Sequence, residues 1–227
     1  MKFDIKIISD TVCPWCYVGK RRVEAGIAAY KAAHPESSDT FAVSWYPYYL
    51  DPNAPLDGED KAARYERRFG AEKFASIQET IGKVGKDVGI NFSFAGRTGH
   101  TKHSHRLIRF AAQKGPDYQN KIVNELFARY FEKAQDITDK NMLQSAAEAA
   151  GLDGTEVKAF LESNEGAEEV ENEVLRAQKL GVRGVPNIRI NGMFEAPGAV
   201  DADIFRQIFE KIAAYTEKGT LDTADLA

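Results

Sequence analysis

Two cysteines three positions apart, Cys13 and Cys16, are the residues with the clearest capacity for chemistry, and the chain has no other cysteine. Pro14 and Trp15 stand between them. A disulfide across so short a loop removes little chain entropy, so it would stabilise the fold only slightly. Secreted domains that depend on disulfides carry more cysteines and spread them along the chain. The pair therefore predicts thiol–disulfide exchange rather than a structural crosslink.

The residues before the pair place it at the start of a helix. Phe3, Ile5 and Ile7 alternate with polar residues, which predicts a strand, and Pro14 suits the first turn of a helix. Unpaired N–H groups and a partial positive charge at a helix N-terminus favour a thiolate. Cysteine thiols at helix N-termini have pKa values of about 3.5–7.5, against about 8.5 for a free cysteine.

The two cysteines are expected to have different roles. Cys13 stands at the helix start and is predicted to exchange with the thiols or disulfides of a substrate. Cys16 lies one turn further along, where we expect it to be less exposed and to resolve the mixed disulfide. The two sulfurs can meet because residues i and i+3 are neighbours on a helix.

A zinc site is an alternative interpretation. A Cys-x-x-Cys motif supplies half of many zinc sites, and His103 and His105, with His100 close by, offer further ligands. Their spacing differs from the usual three to five intervening residues, and a helix that starts at the cysteines fits a zinc knuckle poorly. This alternative predicts a non-enzymatic zinc-binding module, whereas the redox interpretation requires no metal.

The composition argues against several classes of function. The chain has 227 residues, 43% hydrophobic and 28% charged, with a net charge of −4. A nucleic-acid-binding domain usually shows a basic excess, and a membrane helix needs about 20 apolar residues, which no run here approaches. Residues 1–6 contain both an acidic and a basic residue and do not resemble a secretory signal. We expect a cytoplasmic protein without a nucleic-acid or membrane partner.

The apolar patterns predict an α/β fold with a large helical insertion. Residues 1–50 contain a strand, a helix and a second strand, which is a βαβ unit. Residues 182–227 contain a strand, a hairpin signal at Asn191-Gly192, a return strand and an amphipathic helix. We expect these two segments to form one discontinuous domain of βαβ…ββα order.

The insertion is predicted over residues 58–181. About six amphipathic helices fit this stretch, and the shorter ones are expected to begin at the N-caps Thr138 and Thr155.

Several motifs together resemble the DsbA family of the thioredoxin superfamily. They are Cys13-Pro14-Trp15-Cys16 after a first strand, the helical insertion, Gly184-Val185-Pro186 before a late strand, and Asn191-Gly192. The run from Asp10 to Gly19, the segment His105-Arg106-Leu107 and Gly198-Ala199 are similar to the FrnE-like branch of that family. The resemblance covers nearly the whole chain and implies a thioredoxin-like fold.

The resemblance also implies a disulfide oxidoreductase or isomerase acting on a protein or a small thiol. Pro186 is expected to follow a cis peptide bond beside the cysteines, with the backbone of Val185 as an edge for the substrate. We expect Pro14, Trp15 and His105 to add to the substrate surface. Glutathione is a candidate co-substrate, and a second copy of the chain is a candidate partner.

A related branch suggests a second function. Kappa-class glutathione transferases and chromene-carboxylate isomerases resemble this layout, but they carry serine where Cys13 stands. A glutathione-dependent isomerase or transferase is therefore the main alternative to redox exchange.

Overall fold

Strands from the two ends of the chain meet in one sheet, with helices between them. A computed structural model describes residues 1–217. In chain order the elements are β1 (Lys2–Ser9), α1 (Pro14–Ala33), β2 (Thr40–Pro47), β3 (Glu59–Asp60), α2 (Lys61–Phe69), α3 (Ala71–Asp87), β4 (Arg97–Thr98), α4 (Lys102–Lys114), α5 (Pro116–Phe131), α6 (Lys140–Ala149), α7 (Gly154–Glu162), α8 (Ala167–Lys179), β5 (Asn187–Ile190), β6 (Phe194–Pro197) and α9 (Ala202–Glu217).

The main sheet has the order β2-β1-β5-β6. Strand β1 pairs parallel with β2 and antiparallel with β5, and β5 turns back into β6. The turn uses Asn191 and Gly192, which both have positive φ, as the Asn-Gly hairpin signal predicts. The thioredoxin-like βαβ…ββα order expected from the sequence is therefore confirmed.

An aromatic cluster holds the helices α1 and α9 against one face of the sheet. The Phe3 ring of β1 stacks on Phe41 and meets Tyr30 and Phe209 edge-on. The α1–α9 contact is close at Gly26, where an added Cβ would lie 2.6 Å from the Cβ of Phe205. The helix that begins at the redox motif is thus packed on the sheet through Tyr30 and on α9 at Gly26.

Seven of the described helices lie between β2 and β5, where about six were expected. One cluster of buried apolar residues runs through both parts, since Tyr17 of α1 stacks on Phe127 of α5.

The boundaries predicted for the insertion, residues 58–181, stay a prediction. The second predicted segment, residues 182–227, is described only as far as residue 217. Within residues 1–217, no helix combines the length and apolar character needed to cross a bilayer.

The predicted N-caps Thr138 and Thr155 are wrong. Helix α6 is capped by Asp139, whose carboxylate accepts from the N–H of Asn141 at 2.8 Å. Helix α7 is capped in the same way by Asp153. An aspartate lies within two residues of each threonine, one residue after Thr138 and two residues before Thr155, and its carboxylate reaches the free N–H groups of the first turn.

The open edge of β2 is closed by amide side chains of α5. Gln119 accepts from the backbone N–H of Trp45 at 3.1 Å and donates to its carbonyl at 3.0 Å, so it pairs with the strand as another strand would. Asn120 donates to the carbonyl of Val43 at 3.2 Å. Trp45 and Gln119 are both buried, so these bonds are shielded from water.

Candidate active site

The redox motif lies where β1 turns into α1. Cys13 is the N-cap residue with extended backbone, and Pro14 occupies the first turn as predicted. The N–H of Cys13 donates to the carbonyl of Asp10, and the N–H of Cys16 donates to the carbonyl of Cys13, both at 3.0 Å. The first turn of α1 carries no acidic side chain that would oppose a thiolate at Cys13. Both thiols are free.

The environments of the two thiols differ as the sequence predicted. Cys13 is 3% exposed and Cys16 has no exposed surface. Burial raises the pKa of the Cys16 thiol well above its ordinary value, and the hydrogen bond with Cys13 raises it further. Cys16 is therefore held as a thiol, while Cys13 lines an open cleft. The exchanging and resolving roles themselves stay predictions.

The Val185–Pro186 segment lies directly against the pair. The peptide bond between these residues is cis. The thiol of Cys13 donates to the carbonyl of Val185 at 3.5 Å. Gly19 of α1 faces the proline, because an added Cβ there would lie 3.1 Å from Cγ of Pro186. A residue without a side chain at position 19 thus lets the helix carrying the cysteines pack onto the proline loop.

A cleft of about 350 Å³ opens above Cys13. Trp15, Leu50 and Phe69 form an apolar rim, each 37–38% exposed. The remaining wall comes from the loops after β1 and β2, from α2 and α3, and from the segments around Thr98 and Gly184. Trp15 is thus exposed beside the cysteines, as expected, and whether it binds substrate stays a prediction.

Three cleft residues of α2 were not identified from the sequence as site residues. Arg64, Tyr65 and Arg68 all line the cleft. Burial raises the pKa of Tyr65 to about 12, with a smaller contribution from the charge of Cys13, so this hydroxyl stays protonated. Arg64 is held by ion pairs with Asp51 and Glu59. The apolar spacing in the sequence predicts that α2 is a helix. It does not predict which side chains of that helix line the cleft beside Cys13.

Arg68 is the less constrained of the two arginines. It lies 3.5 Å from Asp51, and its side chain is 48% exposed at the cleft. A guanidinium in this position is available to an anionic group of a bound molecule.

The structure does not bring His105 to the cleft, contrary to the expected substrate contact. The side chain is 4% exposed and lines a separate cavity, with Thr11 and Glu173, rather than the cleft above Cys13. Its Nε2 donates to the carbonyl of Tyr48 at 3.1 Å and lies 3.4 Å from Oδ1 of Asp10. The physical reason is that α4 packs its buried face, which includes His105, against the loop before Cys13.

The other two histidines are engaged away from the cysteines. Nδ1 of His103 accepts from Arg106 at 3.0 Å, and burial together with that guanidinium lowers the pKa of His103 to about 4. Nδ1 of His100 accepts from the N–H of Lys102 at 3.1 Å. Within residues 1–217, no group of three or more His, Cys, Asp or Glu side chains is arranged to hold a metal. The zinc hypothesis therefore has no donor set in the described part of the chain.

Arg106 anchors the first turns of α4 to the C-terminal end of α7. The side chain has no exposed surface and donates to the carbonyls of Phe160, Ser163 and Glu165 at 2.7–2.9 Å. Phe160 lies in the last turn of α7 and Ser163 and Glu165 follow its end, where the helix dipole is negative and a cation is favourable. Arg106 thereby fixes α4, and with it His105, in place.

A Cys-x-x-Cys pair at the first helix of this sheet, facing a cis-proline loop, defines the class of thioredoxin-like oxidoreductases. A family model described as the DSBA-like thioredoxin domain matches residues 4–210. The chain belongs to this family of disulfide oxidoreductases. Its membership of the DsbA family, expected from the sequence, is confirmed, and its placement in the FrnE-like branch stays a prediction.

Two relatives are similar to this chain over about nine tenths of its length. The chain is 29% identical over 216 residues to the uncharacterised protein YwbO of Bacillus subtilis strain 168, covering 91% of this chain and 96% of that protein. The crystal structure of a probable DsbA oxidoreductase from Streptomyces coelicolor matches with a TM-score of 0.80 at 27% identity, covering 92% of this chain and 89% of that one.

Two structures with lower sequence identity to this chain show only that the fold is shared. A 2-hydroxychromene-2-carboxylate isomerase matches with a TM-score of 0.65 at 15% identity, over 99% of both chains. The cytosolic disulfide reductase DsbM from Pseudomonas aeruginosa, also solved with GSH, matches with a TM-score of 0.60 at 12% identity, over 93% of this chain and 98–99% of that one.

Proposed function

We propose that this protein exchanges disulfides with a protein or small-thiol substrate, with Cys13 as the exchanging sulfur and Cys16 as the resolving one. The observation that carries the proposal is the asymmetry of the pair. Cys13 lies on the wall of an open cleft at a helix N-terminus, whereas Cys16 has no exposed surface. A substrate therefore reaches only the first sulfur, and the second is positioned to act afterwards.

The chemistry proceeds through a mixed disulfide. The Cys13 thiolate attacks one sulfur of a substrate disulfide, forming a Cys13–substrate bond and releasing the other sulfur as a thiolate, which takes up a proton. Cys16 then loses its proton and attacks Cys13, forming the internal disulfide and releasing the remaining substrate thiolate. The same steps in reverse oxidise a dithiol substrate, and the reduction potential of the pair sets the direction.

The surroundings of Cys13 support a substrate that combines apolar and anionic groups. Trp15 and Pro14 lie on the cleft wall beside the sulfur, and Val185 offers backbone groups next to the Pro186 ring. Arg68 supplies a half-exposed cation at the same cleft. Glutathione, which carries a thiol and two carboxylates, is the small co-substrate we propose. The fold shared with DsbM, solved with GSH, is consistent with this choice.

The test is an insulin-reduction and disulfide-reshuffling assay with purified wild type, Cys13→Ala and Cys16→Ser. We expect Cys13→Ala to lose all activity, and Cys16→Ser to form a mixed disulfide that accumulates because nothing resolves it. Trapping that adduct by mass spectrometry identifies Cys13 as its attachment point. Equal activity of wild type and Cys13→Ala would refute the proposal.

A second candidate is a glutathione-dependent isomerase or transferase, favoured by the fold shared with 2-hydroxychromene-2-carboxylate isomerase. In that case Cys13 contacts or activates the glutathione sulfur and Cys16 is not needed. Turnover of a small electrophile that requires glutathione and survives Cys16→Ser would favour this candidate. Loss of all turnover in Cys16→Ser would favour disulfide exchange.

We also propose a cytoplasmic location and retain a homodimer as a prediction. DsbM, which shares the fold, is named a cytosolic reductase. Cell fractionation tests the location, and light scattering of the purified chain tests the oligomeric state.

A further inference from the structure

A second cavity lies on the other side of the loop that leads to Cys13, and the disulfide exchange proposed above does not use it. It has a volume of about 270 Å³, and its walls come from β2, α4, α5 and α8. Ser9 and Thr11 line this cavity, whereas Asp10 and Val12 line the cleft, so alternate residues of the loop face opposite sides. Among residues 1–217, no side chain lines both spaces.

One wall of the second cavity is apolar. Trp45 of β2 and the α5 residues Val123 and Phe127 line it, and each of them is at most 4% exposed. The rings of Trp45 and Phe127 meet edge-on, with their centroids 6.1 Å apart. The cavity opens to solvent at its rim, where Tyr46 and Ala112 are exposed. A small molecule that enters there gains by covering this wall with an apolar body of its own.

Arg109 offers an unused hydrogen-bonding edge on the opposite wall. Its Nη1 donates to the Glu173 carboxylate at 2.6 Å. Its Nε is buried and has no hydrogen-bond partner among residues 1–217, and its Nη2 has none there either. A carboxylate can take two parallel hydrogen bonds from neighbouring N–H groups of a guanidinium. A bound carboxylate would therefore satisfy a buried donor that is otherwise left without a partner.

His105 supplies a hydrogen-bond acceptor one helical turn before Arg109. Its side chain lines the cavity and is 3% exposed. Its Nε2 donates to the Tyr48 carbonyl, so in the neutral ring Nδ1 is the acceptor. Within the described part of the chain, Nδ1 has no hydrogen-bond partner. Residues i and i+4 share one face of a helix, which places this acceptor and the guanidinium side by side along the same wall.

We propose that the second cavity binds a small hydroxy acid, with its carboxylate on the free edge of Arg109, its apolar body against Trp45 and its hydroxyl donating to Nδ1 of His105. The volume sets the size of the ligand. It equals that of about nine water molecules in the liquid, at roughly 30 Å³ each, and so holds a ligand of about ten non-hydrogen atoms. The proposal does not depend on the redox role of Cys13 and Cys16.

The probe is 4-hydroxybenzoate, which has about the number of atoms that the cavity holds. Calorimetry measures its affinity at neutral pH, and the fluorescence of Trp45 locates it. The chain has two tryptophans, and Trp15 lies at the other cleft, so Trp15→Phe leaves Trp45 as the single reporter. Two analogues of similar size test the ligand groups: 4-hydroxybenzamide lacks the charge and benzoate lacks the hydroxyl.

Four variants test the protein side. Arg109→Gln removes the guanidinium, and Glu173→Gln removes the carboxylate that competes for it. Ala112→Phe narrows the opening from an exposed position of α4, so it blocks entry without changing a buried group. Arg68→Gln, at the redox cleft, is the matched control for loss of an arginine elsewhere.

We expect saturable binding of 4-hydroxybenzoate that changes the emission of Trp45 in Trp15→Phe. Arg109→Gln should weaken it about ten-fold or more, since charge-assisted hydrogen bonds are lost, and 4-hydroxybenzamide should bind wild type weaker by a similar factor. Benzoate should bind about three- to ten-fold more weakly than 4-hydroxybenzoate, because the acceptor of His105 stays without a partner. Ala112→Phe should abolish binding, Glu173→Gln should bind at least as tightly as wild type, and Arg68→Gln should match it.

Three results would overturn the inference. They are an absence of saturable binding to wild type, an affinity that falls in Arg68→Gln but not in Arg109→Gln, and equal affinities for the acid and its amide. The second result would place the ligand in the redox cleft. If Arg109→Gln does not fold, Ala112→Phe and the amide still decide. Failure of the disulfide-exchange assay would leave this result unaffected, because binding is measured without turnover.

Discussion

Replacing Gln119 by leucine should destabilise the fold through the exposed edge of the sheet. The amide of Gln119 holds both backbone groups of Trp45, and both residues are about 95% buried. Each buried group that loses its partner costs about 1–3 kcal/mol, so two cost about 2–6 kcal/mol. The leucine side chain returns about 1–2 kcal/mol through burial of its extra apolar surface. We expect a net loss of about 2–4 kcal/mol.

Urea unfolding followed by far-UV circular dichroism measures this loss. The midpoint should fall with little change in the slope, because the folded core is retained. In a thermal scan, a loss of 3 kcal/mol corresponds to a drop in Tm of roughly 6–12 °C for a chain of this size. Gln113→Leu, an exposed position on α4, is the matched control and should change the free energy of unfolding by less than about 0.5 kcal/mol. If Gln119→Leu stays within about 1 kcal/mol of this control, the pairing of α5 with β2 does not stabilise the fold as described.

Three further changes test the buried charges. Arg106→Met should cost about 3–5 kcal/mol in urea unfolding, because three carbonyls lose the buried guanidinium that donates to them. A loss below about 1 kcal/mol would contradict this role of the side chain. The native pKa of His103 is about 4, below its ordinary value, so wild type should lose stability relative to His103→Gln as the pH falls from 6.5 to 4; parallel pH profiles would exclude this effect. Burial lowers the pKa of Lys61 to about 8, so wild type should gain stability relative to Lys61→Met as the pH rises from 8 to 10.5; a constant difference over that range would mean that Lys61 titrates normally.

The main elements of the fold could be predicted because each has a strong local signal. The alternation in β1, the Asn191-Gly192 turn and the helical period of α3 and α9 are all visible in the sequence, and the structure has each of them. The β3–β4 pair could not be predicted in this way. Each strand has only two residues, and they pair across about 40 positions of chain, so no periodicity develops.

The candidate site could be predicted only in part for a similar reason. Cys13, Cys16 and Pro186 belong to motifs that can be recognised locally or by resemblance. The family resemblance led us to expect His105 at the substrate surface, but Arg106 beside it fixes α4 in the orientation that turns His105 toward Asp10. The cleft residues of α2 depend on how that helix packs over Cys13, which its own apolar pattern does not determine.

The contact between Cys13 and Val185 has a consequence for the synthesis of the protein. These two residues are separated by 172 positions. At about 5–20 residues per second, the ribosome needs roughly 10–30 s to make the intervening chain. Throughout that interval the nascent polypeptide carries both thiols without the proline loop that later borders them. The redox pair is therefore open to cellular oxidants and reductants before the enzyme has a cleft with which to select a substrate.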